Sequence, residues 1–399
     1  MTRPSPASLL TPTSDPGAVG LCPERLSRLV AALQADVDRQ RLPGAVAVVA
    51  RQGQVALCAA VGQLDPARGT PMGTDALFRI YSMTKPVVSV AAMQLAEQGR
   101  LLLSDPVAKY LPEFKRLQVA STHGRKTVLR PAGRVPTVHD LLRHTAGFTY
   151  EFLGDSPVQR QYTQARLASR ERTNAEFTQA LADIPLMYTP GTVWEYSRAT
   201  DVLGRVIEVI TGQPLGHHLQ AAVLGPLGMV DTGFFVPPEQ HHRIAEPFVH
   251  DPDGGTPMRV ANPRDLPAME GGGGGLMSSA HDYARFVQCL LNGGELDGVR
   301  LLSPATVAHM TSDHLGSLPA MGTLLPPGHG FGLGFAVRTA PGLAPTPGSV
   351  GMYYWSGIAG TSFFVDPALD LWAMLLIQAP NQRDHYRSVF RHLVYATVL

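Results

Sequence analysis

The stretch "FRIYSMTKPVVSVAAM", Phe78 to Met93, sets one lysine, Lys85, inside an otherwise apolar run, three residues after Ser82. Lysine is scarce in this chain, occurring only at positions 85, 109, 115 and 126, and only Lys85 has a serine three residues before it. Pro86 has no N–H to donate, so it is tolerated only in the first turn of a helix. Ser82 and Lys85 therefore belong to a helix start, with the helix running to about Gly99. Residues i and i+3 share a helix face, which brings the Lys85 amine to the Ser82 hydroxyl. The free N–H groups and positive end of the helix favour a developing alkoxide there, and they disfavour charge on the lysine, as does burial among Ile80, Met83 and Val87. Such a pair is a nucleophile with its base. The competing reading is a capping serine beside a lysine that reaches out to solvent.

Outward from this helix, the chain reads as hairpins at both ends with helices between. Leu26, Leu29, Val30, Leu33 and Val37 recur at helical spacing from Pro23 until Leu42-Pro43-Gly44 stops them. "AVAVVARQGQVALCAAVG", Ala45 to Gly62, predicts a hairpin, and "SFFVDPALDLWAMLLIQAP", Ser362 to Pro380, predicts two strands around an Asp-Pro turn followed by a last helix. Ser278 or Ser279 caps a further helix. The class expected is α+β, with one antiparallel sheet drawn from both termini and flanked by helices. The boundaries expected are a flexible N-terminus over 1–22, an α/β part over 23–114 and 191–399, and a mostly α-helical insertion over 115–190, with the active site between the last two.

Composition narrows the function classes. With 44% hydrophobic residues, 16% charged residues and a net charge of +1, the chain has no polyelectrolyte character. No basic run interleaves with aromatics, which argues against nucleic acid as a partner. Cys22, Cys58 and Cys289 are few, odd in number and widely spaced, so neither a disulfide framework nor a structural zinc site is expected. No segment has the length of a secretory core or of a membrane span, so a cytoplasmic placement without membrane partners is the expectation.

"SMTK", then "PGTVWEYSRATDVLG" containing Tyr196, then "WSGIAGTSFFVDP" beginning at Trp355, resemble in order and spacing the serine β-lactamase-like superfamily. Within it, the chain resembles the family VIII carboxylesterases, which share the class C β-lactamase fold. "LLLSDPVAKYLPEF", "LLRHTAGFTYEF" and "PLGMVDTGF" have the same flavour, and the likeness covers most of the chain. It implies a β-lactamase/transpeptidase-like fold with Ser82 as the acylated nucleophile, Lys85 as its base and Tyr196 as a second proton carrier. A tyrosine hydroxyl ordinarily ionises near pH ~10, so that role needs a cation close by. The resemblance also implies that Trp355-Ser356-Gly357 stands where β-lactamases carry Lys-Thr-Gly, on a strand lining the site, and that the backbone N–H groups of Ser82 and Ile358 hold the oxyanion.

Two departures bear on the substrate. Tyr196-Ser197-Arg198 replaces Tyr-x-Asn, and Trp355 replaces the lysine of Lys-Thr-Gly. Both losses weaken recognition of a carboxylate beside the scissile bond, so neutral short-chain acyl or small aryl esters are expected, with no cofactor. Hydrolysis of β-lactams, D-alanyl peptides or amides, or acyl transfer, is the alternative on the same fold. Arg198 is a candidate to restore positive charge, and Tyr150 and Phe152 are candidates for the pocket wall. The run Gly271 to Gly275 lacks the Lys-Ser/Thr of a phosphate loop and reads as a flexible turn at the site rim. Of the histidines, His217-His218 and His241-His242 have adjacent members that face apart on a helix, which argues against a metal site. His144 has no G-x-S-x-G elbow to serve, and the resemblance makes it structural.

Overall fold

The computed structural model describes residues 9–123 and 126–399. Its centre is an eight-stranded antiparallel sheet. In chain order the strands are β1 (Gly44–Arg51), β2 (Gln54–Asp65), β3 (Thr70–Pro71), β4 (His329–Phe331), β5 (Ala336–Arg338), β6 (Tyr353–Ser356), β7 (Ser362–Asp366) and β8 (Leu371–Ile377). The spatial order is β4-β5-β6-β7-β8-β1-β2-β3. Strands from the two ends of the chain thus meet in the middle, where Ala45 faces Ile377 and Arg51 faces Leu371.

β1 and β8 are apolar along nearly their whole length because both faces of the sheet are covered, and alternate side chains point to opposite faces. Ala45, Ala47 and Val49 join one core with α1 (Pro23–Asp38) and the C-terminal helix α5 (Arg383–Tyr395). Val46, Val48 and Ala50 join the other, with α2 (Thr84–Glu97) and α4 (Ala280–Leu291), the latter capped by Ser279. α2 is buried all round from Thr84 to Met93, which explains a sequence with no polar face.

Two stretches differ from expectation. Segment 115–190 opens with a hairpin, Gln118–His123 against Lys126–Pro131, before the short helices Val138–Leu142, Pro157–Gln164 and Asn174–Ala182. Each of these helices starts on a reciprocal capping box, headed by Thr137, Ser156 and Thr173. The helical layer also does not stop at 190, because α3 (Ala199–Thr211) packs on the 138–142 and 174–182 helices and on α2. At the N-terminus, residues 1–8 lie outside the described residues. The part of the expected flexible segment that is described is anchored instead: Val19 and Leu21 are buried, and Leu21 bridges to Val398.

The site is assembled by a small ladder away from the main sheet. Leu77–Arg79 pairs with Met277–Ser279, the Ile80 N–H donates to the Leu276 carbonyl, and the Leu276 N–H donates to Thr84 Oγ1. These bonds lay the glycine run 271–275 against the start of α2.

Candidate active site

A single 3-10 turn, Tyr81–Met83, leads into α2. Tyr81 has φ +42°, a left-handed backbone rare for a residue with a side chain and held there by its surroundings. Its hydroxyl accepts from the Ala261 N–H at 2.8 Å. The next residue is Ser82, presented at the helix start, with Lys85 one turn on.

The Lys85 side chain is buried and turns inward. Its Nζ donates to Ser82 Oγ at 3.2 Å, to the Tyr150 hydroxyl at 3.1 Å and to the Gly273 carbonyl at 2.6 Å. The Tyr196 hydroxyl reaches Ser82 Oγ from the other side at 2.5 Å. Lys85 Nζ sits 4.5 Å from the centroid of the Tyr196 ring, so it approaches Tyr196 through the ring face while both groups meet at the serine oxygen. A proton leaving Ser82 therefore has two carriers within hydrogen-bond reach.

The surrounding groups hold this arrangement in place. Burial, reinforced by the Asp201 carboxylate and Tyr196, pushes the Tyr150 hydroxyl well above its usual range, so Tyr150 stays a neutral phenol against the amine. His144 is buried, with its ring 5.0 Å from that of Tyr196 and its Nδ1 3.2 Å from Ser197 Oγ. Burial and then the Lys85 charge keep its imidazole well below its usual range. It supports Tyr196 and does not touch Ser82. No cluster of metal-ligating side chains occurs among the described residues.

The expected substrate contacts divide into two groups. Ser82, Ile358, Tyr150, Phe152 and Arg198 line one cavity of about 370 Å³ with apolar walls that include Phe234, Met258, Pro263 and Met269. Trp355 and Ser356 do not line it: the Trp355 indole stands behind Tyr196, with ring centroids 5.2 Å apart, and edge-on to Phe331. Arg198 reaches the cavity without offering free charge. It pairs with Glu151 at 2.5 Å and with Asp201 at 3.6 Å, and it lies over the Tyr150 ring.

Gly357 has a steric reason. A Cβ there would lie 2.4 Å from the Ile80 carbonyl oxygen and 2.4 Å from Thr361 Oγ1, so only glycine lets the end of β6 approach the segment before Ser82. The glycine run works in the same way. A Cβ on Gly272 would meet the Thr200 carbonyl at 2.6 Å and one on Gly273 would meet Asp201 Oδ2 at 2.7 Å. These residues lie flat on the first turn of α3. The run is thus part of the site itself, because the Gly273 carbonyl receives Lys85 while its N–H donates to Asp201 Oδ1 at 2.8 Å.

Sequence reasoning missed Asp201, Gly273 and Tyr81, and it treated Tyr150 only as a wall. Asp201 sits three residues beyond the Tyr-Ser-Arg segment, in the first turn of a helix, where an acid is explained by the helix dipole alone. Nothing local marks it.

A half-buried serine held by a buried lysine and tyrosine at a helix start, beside an antiparallel sheet and under an apolar cavity, defines a serine hydrolase of the β-lactamase fold. The Beta-lactamase family model matches residues 27–396, and the chain belongs to that family; its likeness to the family VIII esterases is supported by the relatives. Esterase EstB of Burkholderia gladioli is 36% identical over 386 residues, covering 91% of this chain and 93% of that protein. An uncharacterized protein of Mycobacterium tuberculosis is 38% identical over 351 residues, covering 86% and 87% of the two chains. Among solved structures, EstCE1, described as a hydrolase with promiscuous acyltransferase activity, superposes with a TM-score of 0.80 at 30% identity, over 93% of this chain and 99% of that one.

Proposed function

We propose that this protein is a carboxylesterase that cleaves short-chain acyl or small aryl esters through an acyl-enzyme on Ser82. The observation that carries the reading is the convergence of Lys85 and Tyr196 on one hydroxyl at 3.2 and 2.5 Å, beneath a cavity whose walls are mostly apolar. Ser82 Oγ bonds to the ester carbonyl carbon and its proton passes to the Lys85–Tyr196 pair. The negative charge that develops on the carbonyl oxygen rests on the N–H groups of Ser82 and Ile358. The tetrahedral species collapses by breaking the carbon–alkoxide bond, and the alcohol leaves with the proton. Water then attacks the acyl carbon, giving its proton to the same pair; the bond from that carbon to Ser82 Oγ breaks, the proton returns to Oγ, and the acid is released.

The neutralised Arg198 and the apolar Trp355 support a neutral ester over a substrate that needs a cation beside the scissile bond. Hydrolysis of 4-nitrophenyl acetate and butyrate by the wild type and by Ser82→Ala tests the reading. The variant is expected to fall to background, at least about a thousandfold down in kcat/KM; equal rates would defeat it. Acyl transfer to an added alcohol is the second reading, supported by the activity named for EstCE1. Product analysis with and without the alcohol separates the two.

A further inference from the structure

We propose that Arg387, on α5, is a positioning residue for the oxyanion: it grips the Gly357–Ile358 peptide so that the Ile358 N–H faces the reacting carbonyl. This assignment rests on the esterase reading and adds a component that the sequence motifs do not contain. A peptide unit is planar and trans, so its C=O and its N–H point in opposite directions. Fixing the Gly357 carbonyl therefore fixes the Ile358 N–H. Two donors hold that carbonyl, the Arg387 guanidinium through Nη2 and the Gly360 N–H at 2.9 Å. On the opposite edge of the same plane, the Ile358 N–H donates to no group among the described residues, and Ile358 lines the cavity that holds Ser82. A donor left free at a cavity wall, with its carbonyl doubly held, is what an oxyanion site requires.

Charge strengthens the argument. The Arg387 side chain is only 21% exposed, whereas its acid partner Asp384, 3.1 Å away, is 80% exposed, so solvent weakens that ion pair. Burial, against the pull of Asp384, brings the guanidinium down to about 10, leaving it cationic at neutral pH. A cation bonded to the carbonyl oxygen draws electron density along the peptide and makes the N–H a stronger donor. Its effect grows as negative charge develops on the substrate oxygen, so it acts on the transition state more than on bound ester.

The test uses the full-length protein with Arg387→Gln and Arg387→Lys. The readouts are kcat and KM on 4-nitrophenyl butyrate, the rate of Ser82 phosphorylation by diethyl 4-nitrophenyl phosphate, and the melting temperature. For Arg387→Gln the expectation is a fall in kcat of roughly ten- to a hundredfold with KM within about twofold. Phosphorylation should slow in parallel, with no matching loss of folded protein. Arg387→Lys, which keeps a cationic donor, should recover part of the loss; if the glutamine variant does not fold, the lysine variant decides. Wild-type kcat in the folded variant, or a loss carried by KM alone, overturns the assignment. A silent Arg387→Gln beside an inactive Ser82→Ala removes this assignment only, whereas an active Ser82→Ala removes the esterase reading as well.

Discussion

In the proposed mechanism the chemistry turns on the amine of Lys85, and its surroundings explain why it stays where it is. Three oxygens, from Ser82, Tyr150 and Gly273, take its hydrogen bonds, and the last of these is set by Asp201 through the Gly273 N–H. Removing one partner of a buried polar group leaves its mate unsatisfied. Tyr150→Phe is accordingly expected to lower kcat about tenfold with little change in KM. Because burial, Asp201 and Tyr196 hold the Tyr150 hydroxyl well above its usual range, that phenol is neutral at both pH 7 and pH 9. The loss should therefore be the same at the two values, and rate profiles across that range check it; a loss that disappears at high pH would contradict the neutral-phenol role.

At the scale of elements, short pieces of structure do the positioning. The helix Val138–Leu142 carries Asp140, which caps its own N-terminus and binds Arg134 at 2.6 Å and Arg143 at 3.3 Å. Burial raises the pKa of this carboxyl, but the hydrogen bonds from Arg134, Thr137 and Thr145 outweigh it and bring it from 3.8 to about 2. The folded value lies below the unfolded one, so the stabilisation is present above pH ~4 and is lost as pH falls toward ~2. Asp140→Asn should cost about 2 kcal/mol at pH 7 and far less at pH ~2.5, read from urea unfolding at the two values. The end of β6 makes the complementary case. Gly357→Ala would set a methyl 2.4 Å from the Ile80 carbonyl, so strand and nucleophile must part. Activity should drop about a hundredfold or more while the far-UV spectrum is kept; a fully active Gly357→Ala would show that this approach is not needed.

Across the whole molecule, the main sheet closes only when β8 docks on β1, and a single buried cluster runs from the sheet through α2 and α4 to the helical layer around Tyr162, Phe177 and Ile207. The insertion is thus not an independent body. Calorimetry is expected to give one transition in which secondary structure and hydrolase activity are lost together; two separated transitions would contradict the continuous core. Removal of residues 371–399 would take away β8 and α5, leaving one edge of β1 unpaired and its α1 face partly uncovered. Such a chain should fail to fold cooperatively, rather than fold with reduced activity.

The sequence by itself determined what local rules can carry. Pro86 fixed the start of α2, the spacing of Ser82 and Lys85 fixed their contact, and the β-rich runs of 45–62 and 362–377, each broken by a short turn, fixed paired strands, because residue preference, turn chemistry and proline chemistry act over a few residues. The hairpin of 118–131 lay within reach of the same rules but was obscured by its polar composition. Only the tertiary structure decided that Tyr150 touches Lys85, that Asp201 orders the glycine run, that Trp355 stands behind Tyr196, and that Arg387 reaches Gly357. These contacts join residues tens to hundreds of positions apart, and each depends on where whole elements pack, a distance that no local pattern encodes.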